Sequence, residues 1–302
     1  MEKTIKQSTK DGYASRLKKL NDGKPIDNYA FLYDVNIVMD KIKELKPSTQ
    51  RNYIIAIVQA LRDVPIMKSM YETYTKIMDD MNSSLKINNT KSQKQTDNWV
   101  SQDNIIEVYN KVSNQNIDLF CSKRKHIIEA DWTKITETLL LSLYILQPPR
   151  RILDYSCMYI VKQLPRELDR SINYYDLSRD SFVFNNYKTS GTYNMQINKA
   201  PEKLATLIEC YVKIHPIKLV SSGKIPLICN FAGEPYAKTY YITKMLNRIF
   251  KRELGKTISV NMLRNIFLTD KFSPSISELN NIATAMGTSS QMAQNQYIKV
   301  NS

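Results

Sequence analysis

The chain has 302 residues but only 7 glycines and 2 histidines. No G-x-G-x-x-G and no G-x-x-x-x-G-K-[ST] occurs, which argues against a glycine-cradled nucleotide site. His126 and His215 stand alone, and Cys121, Cys157, Cys210 and Cys229 never form C-x-x-C. Neither set has metal-ligand spacing, so no metal is expected. Scattered single cysteines read as reduced, unpaired thiols of an intracellular protein. No uninterrupted apolar run reaches about 18 residues, so no membrane span is expected. The first residues lack the apolar core of a secretory signal, and secretion is not expected either.

Apolar residues and positive charge are abundant. A hydrophobic content of 42% suffices for packed cores, and the length suits one large or two ordinary domains. Lys and Arg number 43 against 29 Asp and Glu, a formal charge of +14. A chain so charged repels itself unless it meets a polyanion, and nucleic acid is the usual one. The excess is spread out, with +4 in residues 1–86 and the rest downstream. Richness in Lys, Asn and Ile suggests an AT-rich genome, such as that of a mobile element or a virus.

Periodicity predicts four short helices in residues 1–85. The first carries Tyr13, Leu17 and Leu20. The second carries Leu32, Val35, Val38, Met39 and Ile42. Pro47-Ser48-Thr49 opens the third, with Arg51 on it as a candidate contact to DNA or a solvated surface residue, and Pro65 opens the fourth. Together they form a small bundle. Residues 86–98 are polar and read as a linker. The second domain, 99–302, opens with helices through Ile105–Val112 and Trp132–Leu146. Pro148-Pro149 stops the latter. Alternation then predicts strands at Ile172–Tyr175, Phe182–Tyr187 and Tyr193–Ile197, with a hairpin turn at Thr189-Ser190-Gly191. Helices follow at 201–214, 238–253, 259–271, 275–285 and 290–298. The fold class is mainly α with a small antiparallel β-sheet.

Several basic residues and one tyrosine are candidates for chemistry at a phosphate. Two guanidiniums, Arg151 and Arg264, suit bidentate contacts to non-bridging phosphate oxygens. Lys188 suits protonation of a departing alkoxide. Tyr297 suits nucleophilic attack on phosphorus. Taken singly, each also suits a surface or packing role. Lys123, Arg124 and Lys125, beside His126, form a basic cluster suited to a backbone phosphate or to open solvent. His215 before Pro216 reads as a helix-end or surface histidine. Asp154 reads as a structural partner for a nearby base or helix end.

Order and local sequence tie these residues together. Pro148-Pro149-Arg150-Arg151-Ile152-Leu153-Asp154-Tyr155, Tyr187-Lys188-Thr189-Ser190-Gly191, Asn261-Met262-Leu263-Arg264, Met286-Gly287-Thr288-Ser289 and Tyr297 follow in sequence. They resemble, in order, the first arginine box, lysine hairpin, second and third boxes and nucleophile of the tyrosine recombinase (phage-type integrase) family. The resemblance spans nearly the whole chain and selects Arg151 over Arg150. It implies a helical core-binding domain plus a catalytic domain forming a C-shaped DNA clamp. It also implies cleavage and rejoining of DNA through a 3′-phosphotyrosyl link without cofactor. The implied catalytic residues are Arg151, Lys188, Asn261, Arg264, Thr288 and Tyr297. The implied partner is double-stranded DNA, held by a homo-tetramer, with a monomer or weak dimer off DNA. Two positions depart from the family. Asn261 stands where His or Lys is usual, and Thr288 where His or Trp is usual. Asparagine cannot act as a base at neutral pH. The alternatives are therefore a weakened or inactive DNA-binding protein on the same fold, or a type IB topoisomerase-like enzyme.

Overall fold

The computed structural model describes residues 7–84, 91–121, 127–236, 238–286 and 290. Lys123, Arg124, Lys125, His126, Thr288 and Tyr297 lie outside them, as does nearly all of the expected helix 290–298. The chain divides into two compact units between residues 90 and 91. Both are mostly helical, and the second holds a five-stranded sheet. Among the described residues no helix is long and apolar enough to cross a membrane.

The first unit contains α1 (Gln7–Leu20), α2 (Val35–Ile42), α3 (Pro47–Leu61) and α4 (Lys68–Ser84), with 3-10 turns at Ala30–Leu32 and Pro65–Met67. Leu32 falls before α2, not within it. Asp34 explains the break: its carboxylate caps the amides of Asn36 and Ile37 at 2.9 and 3.1 Å, which fixes the helix start. Leu17, Leu20, Leu32, Ile42, Ile54, Ile57, Leu61 and Tyr74 form the core. The Tyr74 hydroxyl donates to Leu32 O at 2.9 Å, and burial pushes its pKa up to about 12.

The second unit starts earlier than the sequence suggests. The polar stretch read as a linker to residue 98 ends in a short helix, α5 (Gln93–Asn98). Ser92 and Gln95 close a capping box there, which supports a helix turn without apolar anchors. Lys256 Nζ donates to Asp97 O and the Thr257 amide to Asn98 Oδ1, both at 2.7 Å, tying α5 to the second unit.

The helices α6 (Gln102–Cys121) and α7 (Glu129–Ile145) come next, with α7 buried along most of its length. After Pro148-Pro149, the single-turn helix α8 (Ile152–Ser156) leads straight into the sheet. Its strands are β1 (Met158–Val161), β2 (Asn173–Asp176), β3 (Ser181–Phe184), β4 (Gln196–Lys199) and β5 (Lys224–Pro226), in the order β4-β3-β2-β1-β5. The sheet is mixed, not antiparallel: β1 and β2 run parallel. Neither β1 nor β5 is expected from alternation, because β1 follows a helix without a break and β5 is three residues long. Along β2 and β3 every residue is buried, so burial does not alternate. Tyr175, Phe182 and Phe184 face the main core. Tyr174 and Val183 face a smaller cluster with Val161, Leu164, Leu168 and Ile172. A sheet covered on both faces buries successive residues alike.

Between β3 and β4 the chain does not make the tight hairpin turn expected at Thr189-Ser190-Gly191. Residues 185–195 form a longer connection containing a helical turn, α9 (Ser190–Tyr193). The remaining helices are α10 (Glu202–Ile214), α11 (Tyr240–Leu254) and α12 (Val260–Ala285). The two helices expected at 259–271 and 275–285 are one. Pro274 lies inside α12, where it removes one backbone donor but does not end the helix. His215 is not a surface residue. It is 8% exposed, with its ring edge-on to Trp132 and Tyr211, and Nε2 lies 3.1 Å from Pro226 O. Nδ1 lies 3.0 Å from the Ile217 amide and 3.1 Å from its carbonyl oxygen. Burial lowers the His215 pKa.

Candidate active site

Four parts of the second unit meet around an open pocket of about 300 Å³. They are the end of α7 with its prolines, α8, the β3–β4 connection and α12. Arg151 and Arg264, far apart in sequence, both line it, together with Arg150, Asp154, Phe184, Tyr187, Thr189 and Gln196.

Local structure explains each placement. Two prolines end α7 and force the chain into an extended path. Arg151 then sits in extended geometry (φ −74°, ψ 157°) just before α8. Arg264 is one turn into α12. Met262, Leu263 and Ile266 around it are buried and anchor that turn in the core, and Ser259 Oγ accepts from the Met262 amide at 3.3 Å. Partial burial, and then the like charge of Arg151, pull the Arg264 guanidinium below its usual pKa. An arginine remains charged regardless, so two partly buried cations face one cavity. Among the described residues neither makes an ion pair.

The one carboxylate that lines the pocket among the described residues does not neutralise them. Asp154 Oδ2 accepts from Arg150 Nε at 2.8 Å. Asp154 Oδ1 is buried and has no hydrogen-bond partner among the described residues. Burial raises the Asp154 pKa despite the opposing pull of Arg150, Arg151 and Arg264. Beneath it, Tyr144 is fully enclosed. Burial, with the nearby Tyr155 and Asp154, pushes its hydroxyl far above the ordinary value.

Lys188 does not line the pocket, although Tyr187 and Thr189 on either side of it do. Its side chain is exposed, four residues past the end of β3. That connection is braced from within. Asn173, fully buried at the start of β2, donates to Asp154 O at 2.8 Å and Asn186 O at 2.9 Å, and accepts from the amides of Asn185 and Asn186 at 2.7 Å each. The Tyr187 hydroxyl donates to Asn194 O at 2.5 Å. Asn194 closes the turn with φ 55° and ψ −160°, a backbone region that favours glycine, so the brace holds a strained residue.

No family model matches the chain, and no curated protein or solved structure is detectably similar to it.

Asn261 is exposed in the first turn of α12 and does not line the pocket. Arg51, an expected DNA contact, directs its Nε to Asn82 across α3 and α4. Sequence reasoning missed Asn173, Arg150 and Gln196. The signal for Asn173 was a lone amide opening a strand of tyrosines, where a buried polar group needs partners. The doubled arginine at 150–151 was the other signal, since one pocket seldom uses two adjacent side chains alike.

Proposed function

We propose that this protein is a site-specific DNA recombinase or integrase of the tyrosine type. The observation that carries the reading is the meeting of Arg151 and Arg264, both without a carboxylate partner among the described residues, at one open pocket. Two unneutralised guanidiniums at a pocket fit the two non-bridging oxygens of a phosphodiester and the charge that attack on its phosphorus adds. A chain with a charge of +14 concentrates phosphodiesters at its surface.

In this reading the scissile phosphate of duplex DNA rests on Arg151 and Arg264. The Tyr297 hydroxyl oxygen attacks phosphorus and forms a phosphotyrosyl bond to the 3′ side. The bond from phosphorus to the 5′ oxygen breaks. Lys188 gives the departing oxygen its proton, and the tyrosine's proton passes to water, because Asn261 has no basic nitrogen. Attack by a 5′-hydroxyl on the phosphotyrosine reverses the step and rejoins a strand. The two guanidiniums stabilise the added charge of the pentacovalent transition state, usually the largest catalytic contribution. Thr288 replaces a ring nitrogen donor with a hydroxyl. The active assembly is a tetramer of this chain on two duplexes.

A second reading, DNA binding without cleavage, is favoured by the exposure of Asn261 and of Lys188 outside the pocket. Covalent trapping separates the two. Wild-type protein and Tyr297→Phe are incubated with nicked duplexes and run on a denaturing gel. An adduct formed by the wild type alone supports the recombinase. Salt-sensitive binding by both proteins, with no adduct from either, supports the binding protein.

A further inference from the structure

Arg150 is the third guanidinium of the pocket and differs from the other two in having its Nε, its Nη1 and its planar face engaged. Its Nε bonds Asp154 Oδ2 at 2.8 Å, and its Nη1 bonds Gln196 Oε1 at 3.0 Å. Its guanidinium carbon lies 3.7 Å from the centre of the Phe184 ring and 5.3 Å from that of Tyr187. Phe184 is the last residue of β3 and Gln196 the first of β4. Arg150 therefore grips both ends of the connection that carries Lys188. Through the backbone it is joined directly to Arg151, and through Asp154 to α8.

We propose that Arg150 is a positioning residue, a staple that fixes the Lys188 connection against the segment carrying Arg151. Its effect on cleavage rests on the recombinase reading; its effect on the connection does not. The chemistry explains the residue type. A planar fork can bond in two directions in its plane while one face stacks on an aromatic ring, and lysine, a point charge on a flexible stem, cannot do all three. Asp154 Oδ2 is taken by the staple, and its oxygen Oδ1 has no partner among the described residues. Arg151 and Arg264 are thereby left to an outside anion.

The first test needs no DNA. Hydrogen exchange of the amides of residues 188–195 is measured in the full chain for wild type, Arg150→Met and Arg150→Lys. The staple requires exchange at least about tenfold faster in both variants, with the amides of α7 unchanged. Gln196→Ala, which removes one arm on an exposed strand, should give a smaller acceleration and serves if Arg150→Met fails to fold. Wild-type exchange rates in Arg150→Met, or full rescue by lysine, overturn the proposal, the latter by showing that charge alone matters.

The second test uses adduct formation. Arg150→Met should lower the rate at least about tenfold and leave DNA affinity within about twofold. Replacing the 5′-bridging oxygen by sulfur gives a leaving group that needs no proton. If Arg150 acts by placing Lys188, this substrate erases the defect of Arg150→Met as it erases that of Lys188→Ala. A defect that persists on the sulfur substrate, or one accompanied by a large loss of affinity, makes Arg150 a phosphate ligand and overturns the staple. If the wild type forms no adduct at all but exchange responds as expected, the recombinase reading fails and the staple stands.

Discussion

Two arginine–carboxylate clusters flank α7, and they are built in opposite ways. At Glu137, 3% exposed, both oxygens are occupied: Arg248 donates to Oε1 through Nε and Nη2 at 3.2 and 2.9 Å, and Arg252 donates to Oε2 through Nη1 at 3.1 Å. That cluster is closed, and it pins α11 to α7. At Asp154 one oxygen holds Arg150, the other has no partner among the described residues, and Arg151 and Arg264 stand beside it without an ion pair. A buried charge is tolerated when it is paired and hydrogen-bonded. The closed cluster meets that condition with protein atoms alone. The open one leaves donors facing a cavity, which is the condition of a site that takes an anion.

The comparison breaks if the open cluster proves structural. The largest effect is expected from Arg151→Ala and Arg264→Ala. In the proposed recombinase each should lower adduct formation about 10²–10³-fold, since each would remove a transition-state donor. Neither should lower the melting temperature, because each relieves repulsion between like charges. A marked fall in melting temperature for both would make the pocket a structural cluster.

Closed positions should behave in the opposite sense. Asn173→Ala strips four hydrogen bonds from buried groups and should cost about 3 kcal/mol in denaturant unfolding. Glu137→Ala leaves Arg248 and Arg252 half exposed to water, where they rehydrate, and should cost about 2 kcal/mol. Equal values for Glu137→Ala and Arg264→Ala would erase the distinction between the two clusters.

A subtler difference is expected in pH dependence. The folded chain holds a proton on Asp154 more tightly than the unfolded chain does, because burial raises its pKa above 3.8. Its contribution to stability is therefore fully present below 3.8 and is lost as pH rises through the raised folded value. Asp154→Asn removes that dependence, so the stability of the wild type relative to the variant should rise on acidification. A difference constant between pH 7 and pH 3.5 would contradict the raised value. The smallest effect is on salt dependence. Arg151→Ala should reduce the slope of log affinity against log salt by about one, the share of a single phosphate contact.

Much of this was legible from residue patterns. The helices of both units follow from apolar spacing, and the prolines at 148 and 149 mark the end of α7. The pairing of Arg151 with Arg264 was legible from their local sequences. The sheet was read less well. Met158–Val161 pairs in parallel with β2, and a parallel partner leaves no turn signal beside it in sequence. The strand burial was misread because a second small cluster covers the far face of the sheet. Asp154 was expected to pair with a base, and Arg150 is that base. His215 stands at the end of α10 as expected but is buried and not at the surface, because Trp132 and Cys229 from two other segments close over it beside Tyr211 of its own helix.

The pocket's walls have a kinetic consequence. Its pieces come from the end of α7, α8, the β3–β4 connection and α12, so closure of long loops must precede its appearance. Helices such as α3 or α7 can form from neighbours in sequence, and an early intermediate rich in helix would still hold no such cavity. Acquisition of phosphate affinity during refolding should therefore lag behind the helical signal. Under the proposed function, anion binding is a clock for the last stage of folding.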